Sequence, residues 1–151
     1  MNWKLIVLGG LVFYAVMMVI SFPTGALIHE GVLDESYRAT NEFWQPALRQ
    51  DPPDMAAMMP RWIATGLITT FIFTAIYGWM RGAFSGAPWL KGLKFGLMLS
   101  IIGCCFMAGW SGVFNLPSKI WMWWGFEQFL YYLPGGAVLG WVGQKLAPEG
   151  G

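Results

Sequence analysis

The sequence predicts an all-α integral membrane protein, a bundle of four transmembrane helices running up-down-up-down as a single membrane domain over residues 1–151. Three observations predict it. Of the 151 residues, 56% are hydrophobic and only 11% charged, whereas soluble domains carry roughly 25% charged residues. Four stretches, 5–28, 62–80, 95–118 and 120–144, are almost devoid of charge. Each, at about 1.5 Å per residue, reaches across a hydrocarbon layer about 30 Å thick. The longest connection, residues 30–60, is 31 residues long and leaves no room for a soluble catalytic domain.

The first span opens after Lys4, and residues 5–20 resemble the charged and apolar regions of a signal peptide. The apolar run continues to Ile28 with no small-residue cleavage site, longer than the 7 to 15 residues of such a region, so a retained helix is expected. Pro23 and Gly25 predict a kink near its far end, because proline removes a donor from the helical ladder. Within the 30–60 loop, Tyr37, Phe43, Trp44 and Leu48 punctuate a polar stretch and predict a short helix over 36–48 lying on the membrane surface. Asp51-Pro52-Pro53-Asp54 ends it. Asp54 is an N-cap for a turn over 55–59, and Pro60 suits the first turn of the second span.

Small residues recur every fourth position in the third span, at Gly92, Gly96, Ser100, Cys104, Ala108 and Gly112. The second span carries Gly66, Thr70, Thr74, Gly78 and Gly82, and the fourth Gly136 and Gly140. Lipid gives apolar helices no hydrophobic drive to associate, so small residues matter by letting backbones approach. A tight antiparallel hairpin of the second and third spans is expected. The openings Pro60-Arg61-Trp62 and Pro117-Ser118-Lys119-Ile120-Trp121 also hint at a duplicated pair of helices.

Lys4, Arg81, Lys91, Lys94 and Lys145 fall on one side of this plan, and Arg38, Arg49, Arg61 and Lys119 on the other. The short loop with Arg81, Lys91 and Lys94 is the denser cluster, while acidic residues dilute the basic ones of the 30–60 loop. By the positive-inside tendency both termini are cytoplasmic and the 31-residue loop is exoplasmic. The plan, though no specific residue, is similar to that of many small four-helix bacterial membrane proteins, which implies the inner membrane. Trp3, Trp79, Trp89 and Trp141 mark one border; Trp44, Trp62, Trp110, Trp121, Trp123 and Trp124 crowd the other.

Chemistry must come from the few polar groups left. Glu127 lies inside the fourth span, where an acidic side chain costs free energy and is expected to face the bundle with a partner or a function. Gln128 stands beside it, and Arg61, His29 and Glu30 end neighbouring helices on the same side. An Arg61–Glu127 pair is the expected structural use of this cluster; binding of a cation, proton, lipid headgroup or quinol hydroxyl is the functional one. His29 is the lone histidine, so neither a metal triad nor bis-histidine haem can be built within one chain, and no metal or cofactor is expected. Met55, Met58 and Met59 read as membrane contacts. Adjacent Cys104 and Cys105 cannot bridge without strain.

Phosphate-loop, metalloprotease and serine-elbow motifs are absent, so the chain is not expected to be an enzyme. A net charge of +1 without a basic stripe excludes nucleic acid as a partner. The expected partners are the lipid bilayer and other membrane subunits or further copies of the chain. The function expected is that of a small non-catalytic accessory or scaffolding subunit of a membrane complex. The alternative is a ligand-binding or transport protein using the polar cluster around Glu127, Arg61 and His29.

Overall fold

The computed structural model describes residues 2–148. These are all-helical, with no strand among them. Helix α1 runs Leu5–Val32, α2 Asp34–Ala39, α3 Met55–Met80, α4 Pro88–Ser111 and α5 Ser118–Leu146, with 3-10 turns at Asn41–Phe43, Pro46–Arg49 and Arg81–Ala83. Among the described residues three helices are long and apolar enough to cross a membrane: α1, α3 extended to Ala83, and α4. α5 has the length, 29 residues, but Glu127, Gln128, Tyr131 and Tyr132 lower its hydropathy.

Local chemistry accounts for where the helices start and stop. Asn2 Oδ1 accepts the Leu5 N–H at 3.2 Å and caps α1. α1 does not end at Ile28: past Pro23 it widens, and the Leu33 N–H reaches back five residues to the Ile28 carbonyl at 2.8 Å. Asp54 caps α3 by accepting the Ala57 N–H at 3.1 Å, so the turn expected over 55–59 is fused to the second span, with Pro60 inside the helix. α4 begins at Pro88 rather than 95, because proline at the first helical position gives up a donor that has no intrahelical partner anyway. It stops at Ser111, and residues 112–117 form a non-helical connection. The helix expected over 36–48 is split, since Gln45, held extended before Pro46 (ψ 145°), cannot continue it.

The glycine ridge of α4 packs on α5, not on α3 as the sequence suggested. A Cβ on Gly92 would strike the Gly136 carbonyl oxygen and lie 2.6 Å from the Gly140 nitrogen; one on Gly96 would strike the Tyr132 carbonyl. Reciprocally, a Cβ on Gly136 would lie 2.9 Å from the Gly96 Cα, and one on Gly140 2.9 Å from the Gly92 Cα. Both backbones therefore approach through glycine, which only α5 allows by offering glycines at matching heights. Ser100 Oγ continues the seam, 2.9 Å from the Gly96 carbonyl and 3.1 Å from that of Gln128, and Cys104 Sγ donates to the Gly125 carbonyl at 3.1 Å. Ala108 and Gly112 lie beyond it, exposed, where α4 and α5 part around an open apolar groove of about 590 Å³.

The small residues of α3 serve α1 instead. Tyr14 seats over Gly66, Leu5 against Gly78, and in return Phe71 covers Gly10; Thr70 and Thr74 are fully buried between them. Phe13 fills the hole at Gly135 of α5. Around these knobs Leu5, Phe13, Tyr77, Phe95, Leu99 and Leu139 form the main core, and a second cluster of Ile28, Leu33, Leu116 and Ile120 closes the other end.

Candidate functional site

Helix α5 presents two faces built on different spacings. Gly136 and Gly140 meet α4, while Trp124, Glu127 and Tyr131, three and four residues apart, share the face that α1 and α2 cover. Glu127 is 4% exposed. Its Oε1 lies 3.0 Å from His29 Nε2 and accepts from the Tyr131 hydroxyl at 3.1 Å. The other side of the imidazole, Nδ1, lies 2.7 Å from the Tyr37 hydroxyl, which also accepts the Trp124 indole N–H at 2.9 Å. Tyr131 Oη in turn lies 2.8 Å from Thr24 Oγ1, next to Pro23 of α1. His29 is the exposed member, its side chain 36% accessible.

The widened end of α1 carries His29 to this face, and α2 carries Tyr37 over it. The rings of His29 and Tyr37 stack at 5.8 Å and 11°. Trp44 closes the edge: its indole donates to the Tyr37 carbonyl at 3.1 Å, and its ring meets Tyr37 at 5.1 Å and Trp124 at 6.1 Å, both edge-on. Arg49 ties the loop back on itself through the carbonyls of Trp44 and Glu42. Burial pushes the Tyr37 phenol up to about 12, so it remains a proton donor throughout the physiological range.

Of the five residues expected to cluster, the structure joins two, Glu127 and His29. Arg61 is exposed at the start of α3, and the pairing expected with Glu127 is replaced, because α1 and α2 occupy the face of α5 where the carboxylate points. Gln128 turns to the other face. Its Nε2 donates to the Trp124 carbonyl at 3.1 Å, and its Oε1 lies against Gly103 of α4. Glu30 is exposed. The sequence reading missed Tyr37, Tyr131 and Thr24. Tyr131 was within reach of it, since four residues from Glu127 is helical neighbour spacing; Tyr37 and Thr24 arrive through tertiary packing and carried no local signal. Compared with protein families, with curated proteins and with solved structures, the chain matches none.

Proposed function

We propose that the chain is a four-span protein of a bacterial inner membrane, up-down-up-down with both termini cytoplasmic, and that it is a non-catalytic accessory or scaffolding subunit of a membrane complex. Residues 1–151 act as one domain, and residues 30–60 face the exoplasmic space. Length supports α5 as the fourth span, since 29 residues at about 1.5 Å each exceed a hydrocarbon layer of about 30 Å. The two core clusters support the alternating course, because Leu5, Tyr77 and Leu139 meet at one end and Ile28, Leu33, Leu116 and Ile120 at the other. Lys4, Arg81, Lys91, Lys94 and Lys145 all belong to the first end, consistent with the positive-inside tendency.

The observation that carries the subunit reading is that the glycine seam and the buried carboxylate are both met within the chain. Glycine brings α4 and α5 into backbone contact, and Glu127 is held by His29 and Tyr131 of the same chain. A bundle closed in this way keeps its remaining chemistry on its surface, where large apolar side chains such as Phe22, Ile68, Phe106 and Met122 are exposed. The test is extraction from native membranes into lipid nanodiscs, followed by mass measurement, together with proton-flux assays on liposomes holding the chain alone. A second membrane polypeptide in constant stoichiometry and flux equal to that of empty liposomes are expected. A lone chain without partners overturns the reading.

His29 links the surface to Glu127, and this favours the second reading, a binding or transport protein for a proton, cation, lipid or quinol. Flux or ligand-dependent stabilisation from the chain alone, abolished by Glu127→Gln, would select it.

A further inference from the structure

Among the arrangements of protons open to His29, one gives every polar hydrogen around the ring an acceptor. An indole N–H only donates, so the Tyr37 oxygen accepts from Trp124 at 2.9 Å, and in this arrangement the phenol proton is given to His29 Nδ1 at 2.7 Å. Nδ1 is then bare, and the ring proton sits on Nε2, directed at Glu127 at 3.0 Å. This tautomer is assigned from its partners. Every polar hydrogen in the chain from Trp124 to Glu127 has an acceptor only while His29 is neutral.

We propose that residues 33–49 form a lid latched over the end of the bundle by neutral His29 and released when His29 takes up a proton. A proton on Nδ1 would face the phenol proton. The Tyr37 oxygen would then have two N–H donors directed at it, and its own hydrogen, displaced from Nδ1, would lose its acceptor in a half-buried site. The phenol cannot relieve this by ionising, because burial has raised its pKa to about 12. On the other side of the ring the same proton turns the Nε2 contact with Glu127 into a full ion pair. Protonation therefore weakens the tie to α2 and keeps the tie between α1 and α5.

The surroundings leave this balance to the pair itself. On α1 the adjacent charge is Glu30, which is exposed. On α2, Asp34 and Arg38 pair with each other at 2.9 Å on the exposed side, and Glu35 is exposed. In the 3-10 turns Arg49 is engaged with the carbonyls of Glu42 and Trp44. On α5 the titratable groups beside the ring are Glu127 and, through it, Tyr131. His29 is 36% accessible, so protons from solvent reach it, and release would uncover Trp124 and the Ile28, Leu116 and Ile120 cluster.

Hydrogen exchange of the full chain in phosphatidylcholine nanodiscs, corrected for intrinsic exchange rates, tests it at pH 7.5 and pH 5, across the range in which histidine changes charge. The reporting amides are those of Thr40, Phe43, Trp44 and Leu48, which are hydrogen-bonded within the lid. Their protection is expected to fall on the order of tenfold at pH 5 while that of α3 to α5 is unchanged. His29→Gln retains an acceptor and a donor without titrating, and should give equal protection at both pH values. Tyr37→Phe, which removes the phenol, should leave the lid poorly protected at both. Equal protection of the native chain at the two pH values overturns the proposal, and so does a His29→Gln protein that responds to pH as the native chain does.

Discussion

Helix α5 holds its neighbours in two ways along its length. Over residues 132–143 it is glycine-rich and meets α4 backbone to backbone; over residues 121–131 its aromatic and polar face meets α1, α2 and Trp44 through hydrogen bonds and an edge-on ring. Both are answers to one problem, that helices in lipid gain nothing from leaving an equally apolar solvent. The first gains dispersion by removing side chains. The second uses the low dielectric, where an unmet donor is costly and a met one is retained. The glycine seam should therefore respond to bulk and ignore pH, and the polar cluster should do the reverse.

The largest effect is expected where bulk meets backbone. In Gly96→Leu the new side chain would run into the Tyr132 carbonyl, which has no rotamer with which to yield. The loss should reach the upper part of the overpacking range, about 3 kcal/mol, measured by reversible unfolding in mixed micelles. An unchanged unfolding midpoint would mean that α4 and α5 are not held by this seam.

Next comes the buried carboxylate. Glu127→Ala leaves the His29 Nε2–H and the Tyr131 hydroxyl without their acceptor, a cost of roughly 1–3 kcal/mol. A double-mutant cycle with His29→Ala should show coupling, and one with Arg61→Met should be additive within about 0.5 kcal/mol. Coupling to Arg61 instead would restore the pairing that the sequence suggested and remove α1 from the polar face.

The third effect is alkaline and belongs to the lid alone. The Tyr37 phenol has its pKa raised to about 12 by burial, above an unfolded value of about 10. The docked state thus holds its proton more tightly, and the stability it lends is complete below pH about 10 and lost as pH rises towards 12. Exchange protection of residues 33–49 should decline over that window while the glycine seam stays protected. A lid in Tyr37→Phe with the same alkaline decline would exclude the phenol as its cause.

These contrasts also explain what could be read from the sequence. Charge-free runs and a four-residue spacing of small residues are local, so the helices and the ridge of α4 were legible. Which helix the ridge would meet was not, because α3 and α5 both carry small residues, and only the matching heights of Gly136 and Gly140 decide between them. Glu127 stood out as a charge in an apolar run and His29 as the lone histidine. Their pairing depends on α1 widening past Pro23, and the closure by Tyr37 depends on where a long loop folds back. Neither leaves a periodic trace.

The smallest effect separates the two tryptophan borders. Trp79 is 88% exposed, and Trp3, Trp89 and Trp141 are exposed as well, so at that end the indoles face the surroundings of the bundle, as interfacial anchors would. Trp124 touches Tyr37, Trp44 and Trp121 at the other border. Trp79→Ala removes little buried surface and should change stability by no more than about 0.5 kcal/mol, as surface substitutions do. Trp124→Ala removes a hydrogen bond and two edge-on ring contacts, each such ring pair being worth roughly 0.5–1.5 kcal/mol beyond its buried area, and should cost severalfold more. Unfolding of both variants in one detergent measures the difference directly. If the two cost the same, the aromatic cluster adds nothing beyond anchoring, and the lid over His29 is held by Tyr37 without help from its neighbours.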